Sequence, residues 1–249
     1  MDLFSWYLFG WGVVAFVSLI LLLNISAPYG RFNRSGWGPQ IDNRIAWIIM
    51  ELVSPLTLIG TYLAYERKAS SLVIVFIMLW GIHYVNRSLI FPFRTKTDGK
   101  KMPLLIAIFA CCFNSVNGFT NGYWFAVYAD YSVEWFWDIR FLIGFVLFVF
   151  GFFVNVQSDN ILFKLRNPGE KEYKIPFGGF YKWVSSPNYM AEIIEWLGFA
   201  IMTWSSAAFV FFLWTVANLL PRAISSHRWY KSKFNNYPTD RKALIPKIL

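Results

Sequence analysis

In the stretch Ser186–Trp196, SPNYMAEIIEW, the residues Asn188, Glu192 and Glu195 recur at i, i+4 and i+7, one face of a helix. Asn155 and Asp159 repeat the i, i+4 spacing upstream, and Glu51, His83, Tyr84, Arg87, Arg222 and His227 complete a scattered polar set. Carboxamides and carboxylates so placed in apolar sequence form a polar stripe that needs an interior cavity to face. The connection from Asp159 to Asn188 interleaves Lys164, Arg166, Lys171 and Lys174 with Tyr173, Tyr181 and Trp183. Basic and aromatic side chains together suit phosphates and flat rings; the same residues also suit a solvated loop on the positive side of a membrane.

Other chemistries are excluded. There is no nucleophile elbow, P-loop or H-E-x-x-H. Metal ligation is not expected, because the two histidines, His83 and His227, stand far apart. Cys111 and Cys112 are adjacent and have no third cysteine to pair with, so neither structural disulfides nor a cysteine-rich metal site is expected. Gly10-Trp-Gly12-Val-Val-Ala15 fits G-x-G-x-x-A formally, but no strand precedes it; small residues packing in a membrane helix explain it better.

The elements that must position these residues are set by composition. Apolar residues make up 57% of the 249-residue chain and charged ones 15%, against about 25% charged in soluble domains. The expected solvent is a bilayer, and a spanning helix needs about 20 largely apolar residues. Seven segments qualify: Leu3–Asn24, Ile45–Tyr65, Ser71–Phe91, Leu104–Tyr128, Phe141–Ser158, Tyr189–Ser205 and Ala207–Ile224. The last two are expected to form a hairpin with almost no loop. The fold class is therefore an all-α membrane protein of seven transmembrane helices in one domain, 1–249. The first segment lacks a basic n-region and a cleavage site, so it reads as an uncleaved span.

Nineteen of the 23 basic residues fall after segments one, three and five or in the tail. The positive-inside rule then puts the N-terminus outside and the C-terminus in the cytoplasm. The net charge of +9 follows from this bias and from affinity for anionic headgroups, not from nucleic-acid binding. With that orientation Glu51, Tyr84, Asn155, Asp159, Asn188 and Glu192 all lie in the cytoplasmic half, with Arg222 and His227 following segment seven. A charge at mid-membrane costs at least about 2.5–3.5 kcal/mol, so these groups are expected to share a cavity open to the cytoplasm.

The segments VNVQSDNILFKLRNPGEKEYKIPFGGFYKWVSSPNYMAEIIEWLGFAIMTWS and HRWYKSKFNNYPTDRKALIPKIL, with RIAWIIMELVSP, GIHYVNRS and NGYW, closely resemble the steroid 5α-reductases (3-oxo-5α-steroid 4-dehydrogenases). The resemblance covers roughly residue 44 to the end. It implies a seven-helix reductase that uses NADPH to saturate the C4=C5 bond of a 3-oxo-Δ4-steroid. It further implies that Glu51 and Tyr84 bind the 3-ketone and that Trp196 lines the steroid region. The cofactor would lie among Tyr29, Arg87, Asn155, Asp159, Arg166, Tyr173, Lys174, Asn188, Glu192, Arg222, His227 and Tyr230. The implied partners are a steroid or other lipophilic enone and the lipid bilayer, with the chain a monomer. The implied location is the endoplasmic reticulum in a eukaryote or the inner membrane in a bacterium, with the cofactor site facing the cytoplasm.

The chain departs from the family pattern at Met50, where Gln is usual, and near Phe109–Ala110, where an arginine is common. Lys174 stands in place of a frequent Arg, and a histidine-rich run is reduced to Ser225-Ser226-His227. Three alternatives remain open at this point: a related reductase of a sterol or enoyl lipid, a transporter, and a methyltransferase of similar membrane architecture. The lack of an inverted repeat counts against the transporter.

Overall fold

The computed structural model describes residues 2–34, 36–66, 70–95, 99–165 and 172–249. In chain order the helices are α1 (Leu3–Asn24), α2 (Asn43–Tyr65), α3 (Ser71–Val85), α4 (Phe91–Arg94), α5 (Leu104–Val127), α6 (Ile139–Lys164), α7 (Pro187–Thr203) and α8 (Ser206–Lys233). A π-helical segment, Asn86–Ile90, joins α3 to α4. Strands β1 (Gln40–Asp42) and β2 (Lys101–Pro103) form a short antiparallel ribbon with Ile41 opposite Met102. Among the described residues, six helices are long and apolar enough to cross a membrane: α1, α2, the continuous Ser71–Arg94 helix, α5, α6 and α8. At 17 residues α7 is shorter than these.

Local chemistry sets the helix starts. Asp2 Oδ1 accepts from Ser5 N at 2.8 Å and begins α1. Asp42 Oδ1 accepts from Arg44 N at 2.9 Å and Ile45 N at 3.0 Å and begins α2. Pro187, at the first turn of α7, has no N–H to leave unsatisfied. The α7–α8 turn is only Trp204 and Ser205: Trp204 takes a left-handed conformation and Ser205 Oγ caps α8 through Ala208 N. This is the loopless hairpin that the sequence indicates.

The chain divides into two compact units. The first holds residues 1–26 and 139–249, that is α1, α6, α7, α8 and the C-terminal segment. There α6 and α7 lie antiparallel in very close contact. A methyl group at Gly144 would sit 2.4 Å from Met202 N, at Gly151 2.5 Å from Glu195 N, and at Gly198 2.5 Å from Phe148 N. Only glycine permits this approach. α1 packs along α8 in the same direction: Trp11 meets Trp214 with ring centroids 4.6 Å apart, and farther along both helices Ser26 Oγ donates to Ser225 Oγ at 3.0 Å.

The second unit, residues 27–138, holds the ribbon, α2, α3, the π segment, α4 and α5. α2 and α5 run parallel and advance together in steps of four. Met50 faces Asn114, Ser54 faces Gly118, and Leu58 faces Gly122. Gly118 and Gly122 again allow the close approach: added methyl groups would sit 2.6 Å from Ser54 O and 2.5 Å from Leu58 O.

Two expectations about helix ends are corrected. α6 runs six residues past Ser158, so Asp159 lies within a helix and does not close one. α8 runs on to Lys233, so Arg222 lies well within the helix and His227 stands on it and does not follow it. Hydropathy marks where an apolar run stops, whereas intrahelical hydrogen bonding continues into polar sequence.

Candidate functional site

In the first unit the expected carboxylates and carboxamides come together. Asn155 Nδ2 on α6 donates to the Asn188 carbonyl at 3.0 Å and to Glu192 Oε2 at 3.3 Å, both on α7. Asn188 Nδ2 returns to α6 and donates to Asp159 Oδ1 at 3.3 Å. Asn155 and Asp159 are buried, and Asn188 and Glu192 are half-buried. The i, i+4 pairs of the two helices therefore face one another, because the glycine seam brings the helix axes together. Glu195, one turn deeper, is fully buried beside Gly151. Trp196 is buried among rings, edge-on to Phe211 at 4.7 Å, Phe199 at 5.6 Å and Phe148 at 6.3 Å.

A second cluster gathers at the end of α8. Tyr173 packs edge-on against Trp229 at 4.9 Å, Trp229 against Tyr230 at 5.2 Å, and Tyr230 stacks on Tyr237 at 5.3 Å. His227 Nδ1 lies 2.6 Å from Ser185 Oγ. Arg222 is buried one turn before His227's own turn, and Lys174 is exposed. Arg166 lies outside the described residues.

The second unit holds the other candidates. Tyr84 is buried on α3, stacked on Trp80 at 5.5 Å and edge-on to His83 at 5.0 Å. Trp80 Nε1 donates to Ser54 Oγ on α2 at 3.2 Å, which fixes the register of α2 against α3. These helices are joined by a short connection and run antiparallel. One turn back from Ser54 reaches Glu51, and one turn forward from Trp80 reaches Tyr84. With a rise of about 1.5 Å per residue, both arrive at the same level. The Arg87 guanidinium lies over Phe91 at 4.4 Å and over Trp47 at 5.2 Å, and Trp47 Nε1 donates to the Arg87 carbonyl at 3.1 Å. Arg87 sits in the π segment, whose extra residue re-aims the side chains after Tyr84. Tyr29 is half-buried in the extended loop before residues 30–32.

Met50 belongs to an apolar cluster. It is buried with Ala46, Met102 and Ala107, and Ile41, Trp47, Ala110 and Cys111 pack around them. The residue that sequence reasoning missed here is Asn114, whose Nδ2 donates to the Met50 carbonyl at 2.6 Å. A signal for it exists in the Asn114, Asn117, Asn121 spacing, i, i+3, i+7 within an apolar helix. Ser185, Tyr237 and Arg241 were also missed, and no periodicity announces them. Among the described residues no group of three or more His, Cys, Asp or Glu could hold a metal.

The arrangement is that of a helical membrane enzyme with polar groups held inside apolar helices, and sequence comparison gives the family. A family model described as 3-oxo-5-alpha-steroid 4-dehydrogenase matches residues 100–249. Steroid 5-alpha-reductase DET2 of Gossypium hirsutum is 42% identical over 259 aligned residues, covering 99% of this chain and 98% of its own. The protein of the same name from Arabidopsis thaliana is 44% identical, covering 92% of this chain and 90% of its own. 3-oxo-5-alpha-steroid 4-dehydrogenase 1 of Rattus norvegicus is 40% identical, covering 96% and 92%. The chain belongs to the 3-oxo-5-alpha-steroid 4-dehydrogenase family, whose members are oxidoreductases acting on CH–CH bonds.

Proposed function

We propose that this chain reduces the C4=C5 double bond of a 3-oxo-Δ4-steroid, using NADPH, as a single-domain monomer with seven membrane spans. The observation that most supports a cofactor role is the hydrogen-bonded set Asn155, Asp159, Asn188 and Glu192. It offers carboxamide N–H donors and carboxylate acceptors side by side, a donor set that fits a nicotinamide carboxamide and ribose hydroxyls. Tyr173, Lys174, Arg166, Arg222, His227 and Tyr230, with Arg87 and Tyr29, would hold the rest of the dinucleotide. When bound, NADPH supplies the hydride that reduces C5.

The chain's own part is to polarise the enone. Tyr84 donates a hydrogen bond to the 3-ketone oxygen, with Glu51 at the same level beside it. The carbonyl withdraws electron density, C5 becomes electrophilic, and the charge that develops on oxygen as C5 is reduced is stabilised by that donor. C4 then takes a proton, leaving the saturated ketone. Trp196, held by its aromatic neighbours, is assigned to the steroid region.

The seventh span is supported by direction. α1 and α8 run the same way, which requires an odd number of crossings between them; α2, the Ser71–Arg94 helix, α5 and α6 give four, and α7 supplies the fifth. Basic residues then place the C-terminus and the cofactor site on the cytoplasmic side, of the endoplasmic reticulum or of a bacterial inner membrane.

The deciding experiment incubates purified protein with NADPH and a Δ4-3-ketosteroid and analyses the product by mass. A product heavier by two hydrogens, with C5 configuration α, supports the reading. NADPH oxidation with an enoyl lipid and none with the steroid would overturn it.

A further inference from the structure

The segment Arg241–Leu244 runs alongside Trp183–Ser186 just before α7. Lys242 N donates to the Trp183 carbonyl at 3.0 Å, Ser185 N to the Lys242 carbonyl at 2.8 Å, and Ser186 N to the Ala243 carbonyl at 3.2 Å. This holds Ser185, 3% exposed, at a three-way junction. Its Oγ lies 2.6 Å from His227 Nδ1, 2.7 Å from the Tyr237 hydroxyl and 3.1 Å from the Lys242 carbonyl.

A hydroxyl has one proton and two lone pairs. The Lys242 carbonyl has no proton to give, so the Ser185 proton goes to it; sent elsewhere, it would leave two oxygen lone pairs facing each other. Tyr237 is buried, and among the described residues its hydroxyl meets no acceptor except Ser185, so it donates there. One lone pair of Ser185 then remains, and it takes a proton from His227 Nδ1. All three contacts are satisfied by this one assignment. Among the described residues His227 Nε2 makes no hydrogen bond, and in a neutral ring with Nδ1 protonated it is a bare acceptor.

We propose that Ser185 is a positioning residue that fixes His227 as the Nδ1–H tautomer, so that Nε2 accepts from a hydrogen-bond donor of the cofactor, a hydroxyl or amino group, and does not contact a phosphate. This rests on the cofactor reading of His227 above. The Arg241 guanidinium, 4.8 Å from the Phe177 ring centre and 5.3 Å from that of Tyr237, holds Tyr237 against Ser185.

The test is nitrogen-15 NMR of the full chain labelled at its two histidines, with His83→Gln used for assignment. Wild type and Tyr237→Phe should both show His227 protonated at Nδ1, and Ser185→Ala should lose that tautomer. Ser185→Ala should also weaken NADPH and NADH by the same factor, about fivefold in KM with kcat little changed, and Ser185→Thr should restore both readouts. An Nε2–H tautomer in wild type overturns the proposal whatever the cofactor assays give. A Ser185→Ala loss confined to NADPH also overturns it, because it places His227 on the phosphate that distinguishes the two cofactors. A correct tautomer with unchanged binding of both cofactors keeps the hydrogen-bond assignment and refutes the cofactor role of His227. Should Ser185→Ala not fold, the wild-type and Tyr237→Phe spectra still decide the tautomer.

Discussion

Gly151 on α6 and Glu195 on α7 lie so close that a methyl group on the first would sit 2.5 Å from the backbone nitrogen of the second. One turn along, the same seam sets Asn155 against Asn188 and Glu192. Gly151→Ala must force the helices apart, because the obstacle is backbone and cannot swing away. Overpacking of this kind costs about 1–3 kcal/mol. The variant should melt at lower temperature in detergent and lose NADPH affinity, whereas Gly60→Ala, which meets nothing within 4 Å, should do neither. Equal behaviour of the two variants would dissociate the seam from the cofactor site.

Tyr84 is assigned a role in stabilising charge on the ketone oxygen, which exists in full only as the reaction proceeds. Tyr84→Phe keeps the ring that stacks on Trp80 and removes only the donor. Loss of one such donor reduces kcat by about 10²–10³, and NADPH binding should persist. Glu51→Gln should lower turnover in the same direction. Stopped-flow turnover and cofactor fluorescence separate the two quantities, and wild-type kcat in Tyr84→Phe would remove the tyrosine from the mechanism.

The six long apolar helices were legible in the sequence because a bilayer allows little else than apolar helices of fixed length. The facing of Asn155 and Asp159 with Asn188 and Glu192 was legible too, because i, i+4 polar pairs in apolar helices must turn inward. The extensions of α6 to Lys164 and α8 to Lys233 were not, because they lie in polar sequence where hydropathy is silent. The Ser185, Tyr237 and His227 junction was invisible for another reason: it joins three segments distant in sequence through single hydrogen bonds, which leave no periodic trace. Met50, where Gln is usual in the family, faces an apolar cluster.

The polar set on α6 and α7 should respond by geometry and not by charge alone. Asp159→Asn retains an oxygen that accepts from Asn188 Nδ2, so NADPH affinity should fall only modestly. Asn155→Leu removes the donor shared by the Asn188 carbonyl and Glu192 and leaves a carboxylate without it in partly buried surroundings. Its effect should be about tenfold or more. Isothermal titration with NADPH in the absence of steroid measures both, and a reversed ranking would argue that charge dominates.

Asn114 bears on the position of Glu51 from a neighbouring helix. Pro55 has no N–H, so the Glu51 carbonyl lacks the bond that a regular helix would give it, and α2 is weakened at this turn. The Asn114 side chain holds the adjacent Met50 carbonyl at 2.6 Å, across a contact tightened by Gly118. Asn114→Leu should cost about 1 kcal/mol of stability and raise the steroid KM. Met50→Gln, which restores the residue usual in the family, would bury a carboxamide among Ala46, Met102 and Ala107. It should lower stability by about 1–3 kcal/mol without improving steroid KM. A gain in steroid affinity from Met50→Gln would show that the side chain reaches the substrate, and would displace Asn114 as the determinant at this turn.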